Sequence, residues 1–389
     1  MMYSNNNNNL VNISGFKIYK DKFLFCDKNK GIFDGNGFIR SNIDGTSLVF
    51  HEDYIFFLSS VENISYYLIE NKLYEILHPL WLHTIEYSTV LGYQYTSISK
   101  RFKIFIFDFY ENKILKEIDK ELDLWNLIRC KNTIFYFNSS KTKISALSLL
   151  TSEYAWEVDL GVEGLQVGGI LGIKDNNLMV ACTDKQHQGI WLALDVATGE
   201  EVWRRSLQIS YGGTYAFNED KTSIFYLHAK GVWLNGIQVV KGSNIFREIN
   251  TKDGSVRREG VLWQLDEVGL GINNCTLQNG FIYFTAHYSG SFGATVIGVL
   301  DYETLSLLWW EEVKLDEANG FGNFLTQLQV SENKIYVLDK THVLHIYEKD
   351  ESIPFVKPTQ SGLIPFENLP IKTQNNENQN FDNNDDLPF

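Results

Sequence analysis

"ALDVATGEEVW" occupies Ala193–Trp203. Apolar residues lead into Asp195, a Thr198-Gly199 pair follows, and a second stretch reaches Trp203. Physically this is a β-hairpin. Gly199 takes a positive φ at little cost. Asp195, three residues before Thr198, can accept hydrogen bonds from the turn amides. Trp203, eight residues after Asp195, falls on the outgoing strand, where a large ring can wedge one unit against the next.

The unit recurs. "ALSLLTSEYAW" (146–156) and "VLDYETLSLLW" (299–309) repeat it, with Ser148 and Asp301 in the acid's place and Trp156 and Trp309 in the Trp's. In a looser copy, "EINTKDGSVRR", Asp253-Gly254 stand for Thr-Gly and Arg258 for the Trp. "FDFYENKILK" (107–116) and "SYYLIENKLYE" (65–75) share Glu-Asn-Lys at the same turn. The aligned positions Tyr67, Asp108, Ser148, Asp195, Asn250 and Asp301 step by 41, 40, 47, 55 and 51 residues, room for four strands each. An abbreviated hairpin, "GIFDGNGFI" (31–39), precedes them and "VLHIYEKDESI" (343–353) follows. Short apolar runs fill the spaces between, such as "FKIFIFDF" (102–109) and "KIYVLD" (334–339), apolar at nearly every position. Such runs read as strands covered on both faces.

The Ala-x-Asp-x-x-Thr-Gly-x-x-x-Trp pattern resembles the blade motif of quinoprotein-like β-propellers, the PQQ-like repeat. The resemblance implies an all-β chain: a β-propeller of four-stranded antiparallel blades around a central channel. Eight hairpins favour eight blades, with seven as the alternative. The expected organisation is a disordered N-terminus (1–9), a propeller (10–350) and a flexible acidic tail (351–389). "LVNIS" (10–14) is expected to close the ring on the last blade, because an open edge invites aggregation. "GVWLNGIQVVKG" (231–242) reads as an extra hairpin projecting from one rim, where Trp233 is either a surface anchor or a packed residue. "GVEGLQVGGILG" (161–172) reads as a blade connection leading into a strand rather than a phosphate loop.

The net charge of −14 argues against a direct grip on nucleic acid or anionic lipid, which needs Lys and Arg clusters. It suits a basic protein partner, or solubility alone. Cys26, Cys130, Cys182 and Cys275 lie far apart in or beside apolar runs and read as buried reduced thiols. The first residues show neither a basic n-region nor an apolar core, and no run of about 18 apolar residues occurs, so a cytoplasmic location is expected.

No catalytic constellation emerges. The quinoprotein resemblance raises a dehydrogenase reading, but such enzymes carry a vicinal disulfide over the cofactor and no adjacent Cys pair exists. The eight histidines are scattered; His342 and His345, three apart in an expected strand, point to opposite faces. No cofactor, no metal and no enzymatic activity are expected. The chain is also similar to the outer-membrane assembly scaffold built on the same repeats, though not to its lipoprotein leader. The scaffold logic implies a protein partner on the ring face. An immunity or antitoxin-like ring that caps a basic toxin is the alternative.

After Ile353 the composition turns polar and Asn-rich, which predicts disorder. The final "DDLPF" resembles the C-terminal tip of bacterial single-stranded-DNA-binding proteins. That resemblance implies a docking peptide for genome-maintenance proteins. Phe389 would enter an apolar pocket, its carboxylate would meet an Arg or Lys, and Leu387 and Pro388 would shape the tip. Asp382, Asp385 and Asp386 would lie over a basic ridge. Two echoes, "ESIPF" (351–355) and "GLIPF" (362–366), lack the free carboxylate and read as Ile-Pro-Phe segments packed on the last blade, with weak docking motifs as the alternative.

Overall fold

The structure, a computed structural model, describes residues 3–4 and 9–11, the strands between 13 and 120 with the turn at 109–112, and residues 126–369 apart from 139, 187, 211–212, 229–231, 235–236, 241–243, 289–290, 292, 316–322 and 332. Its strands fall into eight antiparallel sheets. In chain order, sheet 1 spans 13–41, sheet 2 45–76, sheet 3 81–120, sheet 4 128–159, sheet 5 166–210, sheet 6 214–262 and sheet 7 270–312. Sheet 8 takes three strands from 325–349 and its fourth, Tyr3–Ser4, from the N-terminal region. First strands of neighbouring sheets touch: 1 on 2, 2 on 3, 4 on 5, 6 on 7, 7 on 8, and 8 back on 1. Contacts that run round and return are those of a β-propeller. Beyond the strands, one short α-helix (Trp263–Glu267) links sheets 6 and 7.

The core sits between sheets. Phe135 and Ile144 of sheet 4 pack with Leu178 and Leu192 of sheet 5. Phe225 and Phe246 of sheet 6 pack with Ile282 and Phe284 of sheet 7. This explains strands apolar on both faces: each sheet is sandwiched by two others. Cys26, Cys182 and Cys275 lie buried in these layers and Cys130 half-buried, all as free thiols; burial pushes the Cys182 and Cys275 thiols up to about 12.

The repeated turn works as a staple. Asp195 Oδ1 accepts hydrogen bonds from the Ala197 and Thr198 amides, both at 2.9 Å. Asp301 Oδ1 accepts from the Thr304 amide and hydroxyl at 2.7 and 2.8 Å. Asp108, Ser148 and Asn250 cap their turns in the same way. The fourth residue after each is left-handed: Asn112 (φ 49), Ser152 (64), Gly199 (76), Gly254 (68) and Leu305 (59). The eighth reaches the next sheet's turn. Trp156 Nε1 donates to Val196 O (2.9 Å) and Trp203 Nε1 to Thr251 O (3.1 Å). Arg258 Nη1 donates to Tyr302 O (3.0 Å) and Glu303 O (2.8 Å), and Lys116 Nζ to Leu150 O. Trp309 lies against Tyr347 and the Tyr3 ring of sheet 8.

The ring closes differently from the sequence expectation. Tyr3 pairs with Lys349 and Ser4 with Glu348, so the closing strand comes from the segment 1–9 expected to be disordered. Of 10–14, Leu10 makes a single bridge to Leu344 and Ile13 opens sheet 1. Tyr3 is held because its ring is buried against Trp309 and its hydroxyl lies 3.2 Å from that of Tyr283. The expected last hairpin, 343–353, is therefore one strand followed by a turn at Asp350–Ile353. The insert at 231–242 does contain a hairpin, Val232–Leu234 with Ile237–Val240, which extends sheet 5 through Ile209 and Val232. The Trp233 side chain lies outside what is described.

Candidate protein-interaction surface

Residues 351–369, expected to be part of the flexible tail, form a strap instead. It leaves sheet 8, crosses the turns of sheet 7 and ends on sheet 6. Phe355 meets Phe281 edge-on with ring centroids 5.2 Å apart, and Lys357 pairs with Glu303. The Ser306 hydroxyl donates to Gln360 O (2.6 Å), the Gly362 amide to Thr304 O (2.9 Å) and Trp263 Nε1 to Ser361 O (3.1 Å). Leu363–Pro365 then adds a fifth strand to sheet 6, with Gly260 opposite Pro365, Val261 opposite Ile364 and Leu262 opposite Leu363. The strap ends in a 3-10 turn (Phe366–Asn368), with the Arg247 guanidinium 5.8 Å from the Phe366 ring centre. The first echo thus joins sheet 8 through Glu351, which accepts from Asn333 Nδ2 at 3.0 Å, and sheet 7 through Phe355, while the second packs on sheet 6 rather than on the last sheet.

Two glycines make the close approach possible. A Cβ at Gly260 would stand 2.1 Å from Ile364 O, and one at Gly362 would stand 2.0 Å from Leu305 O. Neither needs a left-handed backbone; each is small because another chain segment lies where a side chain would be. Pro365 suits a sheet edge because it has no N–H to donate outward.

Between the strap and the turns of sheets 6 and 7 opens a cleft of about 600 Å³, lined by Glu248, Arg257, Phe281, Tyr302, Phe355 and Lys357 among others. At its floor Glu248 is 2 % exposed. Its carboxylate accepts from Arg258 Nε and the Tyr302 hydroxyl, both at 2.8 Å, and from the Ser223 hydroxyl. Burial alone would raise its pKa. The Ser223 hydrogen bond, the Arg258 charge and the Tyr302 hydrogen bond outweigh that and hold it below the usual carboxylate range. Glu248 thus ties Ser223, Arg258 and Tyr302 together at the floor. Arg257, half-exposed, lies 3.5 Å from Glu248 at the mouth.

Histidines do not gather. His342 sits in a left-handed turn with Nδ1 3.2 Å from Ile13 O, rather than in a strand with His345. His345 Nε2 lies 3.1 Å from Asp339 Oδ2, both buried. Burial would raise the Asp339 pKa, but hydrogen bonds from His345, the Val343 amide, Thr341 and Asn323 lower it to about 2. Among the described residues no three His, Cys, Asp or Glu side chains could hold a metal ion, and no helix is long and apolar enough to cross a membrane. The tip residues Asp382, Asp385, Asp386, Leu387, Pro388 and Phe389 lie outside the described residues.

No family model matches the sequence, and a comparison with curated proteins finds no match. Solved structures do match. The crystal structure of BamB from Moraxella catarrhalis aligns with a TM-score of 0.51 at 12% identity, over 92% of this chain and 100% of that one. The C-terminal WD40 domain of Sif2 aligns with a TM-score of 0.58 at 11% identity, over 89% and 97%. KlHsv2 with its loop 6CD replaced by a Gly-Ser linker gives 0.50 at 8% identity, over 79% and 98%. What the chain shares with these proteins is the fold, a nearly all-β propeller of antiparallel sheets.

Proposed function

We propose that this chain is a non-enzymatic, cytosolic protein-binding scaffold with one blade per sheet. Its C-terminal tip docks onto bacterial DNA repair and replication proteins in the manner of the single-stranded-DNA-binding protein tail. The supporting observation is the strap: Leu363–Pro365 pairs with the edge of sheet 6, so the described chain ends at residue 369 beside that sheet, and the Asn- and Asp-rich segment from 370 to the tip follows it in sequence. On this reading Phe389 fills an apolar pocket of the partner, Pro388 lowers the ordering cost and the aspartates speed encounter. The propeller face holds a second protein, in keeping with the scaffolding roles common to the fold.

The test is a pull-down from bacterial lysate with full-length protein and its Phe389→Ala variant, read by mass spectrometry. The proposal expects repair or replication proteins with the first and their loss with the second. Equal recovery from both refutes the role of the tip.

A further inference from the structure

We propose that the outer edge of sheet 6 is a receptor for extended Ile/Leu-Pro-Phe segments, and that Leu387-Pro388-Phe389 is its second occupant, competing with Ile364-Pro365-Phe366. This does not rest on an external partner for the tip.

The pattern occurs three times after residue 350: Ile353-Pro354-Phe355, Ile364-Pro365-Phe366 and Leu387-Pro388-Phe389. Two copies are seated on the propeller, each with its Phe against a built partner: Phe355 on Phe281, and Phe366 beneath Arg247. The sheet 6 seat is the more specific. Gly260 admits the incoming carbonyl, Val261 lies opposite the aliphatic residue, and Arg247 is itself fixed by Glu259 at 2.6 Å. The seat therefore reads extended backbone, an aliphatic side chain, a proline and a ring, and Leu-Pro-Phe supplies all four.

Only three residues of the strap pair with sheet 6, a short ladder that a second extended segment can replace. An extended chain from Leu369 to Leu387 reaches about 60 Å, so the second copy comes back to the seat without strain. Tethering holds it there at roughly millimolar effective concentration. The resident keeps an advantage that the structure specifies. Aligning Pro388 on Pro365 puts Asp385 where Gly362 passes, and a Cβ there would stand 2.0 Å from Leu305 O. The tip is therefore the weaker occupant and is released readily.

Two glycine variants of the full chain separate receptor from resident. Gly362→Val blocks the strap but leaves the seat intact; Gly260→Val blocks the seat itself. Labelled peptides of residues 358–369 and 380–389 are titrated against each by fluorescence anisotropy. With the chain's own tip disabled by Leu387→Ala/Phe389→Ala, both should bind Gly362→Val at least about tenfold more tightly than the same background with Gly362, whose seat the strap fills, and neither should bind Gly260→Val. The tip peptide carrying Asp385→Gly should bind more tightly than the native one. Failure of the tip peptide to bind Gly362→Val, or equal binding to Gly260→Val, overturns the proposal. A second measurement leaves the fold untouched: deuterium uptake over 360–369 in full-length protein should slow in Leu387→Ala/Phe389→Ala, where the competitor is lost. Unchanged uptake also overturns it.

Discussion

Replacing Gly254 by Ala tests the staple that joins sheets 5 and 6. Two costs arise. The backbone at φ 68 disfavours any Cβ by about 1–2 kcal/mol. The new methyl would also stand 2.7 Å from the Trp203 indole, and forcing that overlap costs about 1–3 kcal/mol more. Gly254→Ala should therefore destabilise by about 2–5 kcal/mol. Trp203→Ala, which empties a site where the indole is 8 % exposed, should cost about 3–5 kcal/mol. It leaves no stranded carbonyl, because Thr251 O also accepts from Asn177 Nδ2 at 3.2 Å. Made in the Trp203→Ala background, Gly254→Ala should cost only the backbone share, about 1–2 kcal/mol. Urea denaturation followed by tryptophan fluorescence and circular dichroism gives all four corners of the cycle. Equal costs of Gly254→Ala in both backgrounds would refute the claim that the ring, and not the φ angle alone, dictates glycine.

Arg258→Met keeps length and apolar contact but leaves Glu248 buried beside a weaker partner, Arg257; it should cost about 3–5 kcal/mol at pH 7 and less near pH 4–5, where the carboxylate can now protonate. Denaturation curves at the two pH values check this, and a pH-independent loss counts against it. Asp339 has a folded pKa depressed to about 2, so its contribution is present above its ordinary pKa near 3.8 and is lost as pH falls toward 2. The wild-type stability advantage over Asp339→Asn should shrink by about 2 kcal/mol across that window, measured by thermal melts; a constant difference contradicts the assignment.

Sequence made the hairpin units readable because everything they need is local. Turn acid, left-handed residue and staple lie within eight residues of one another, as in Asp195, Gly199 and Trp203. It disguised the same device where the chemistry changed: Arg258 takes the tryptophan's place and Lys116 reaches Leu150 O from sheet 3. What it hid was long-range. Tyr3 looks like part of a polar leader, yet its strand partner is Lys349. Residues 351–369 are polar on average, yet Leu363, Ile364 and Phe366 carry enough apolar surface to dock once sheet 6 offers a glycine-cleared edge. A usable signal existed in the Ile-Pro-Phe echoes, but nothing local says which edge receives them. The tip motif stands apart, since its meaning depends on a groove in another surface.

The exceptions to the repeat bear on where the strap runs. Trp staples face Gly, at Trp156–Gly199 and Trp203–Gly254, because the indole lies flat where a Cβ would be. At sheet 7 that residue is Leu305, left-handed at φ 59 and buried, so no indole fits above it. A guanidinium does: Arg258 stacks 4.9 Å from the Tyr302 ring centre and still reaches the turn carbonyls. A left-handed Leu is strained by about 1–2 kcal/mol and holds only if its surroundings favour it. Here its side chain joins the sheet 6–7 core while its carbonyl faces Gly362 of the strap. The Arg258–Leu305 pair thus trades the ordinary Trp–Gly staple for a turn that the strap can cross, and the two departures from the repeat share one cause.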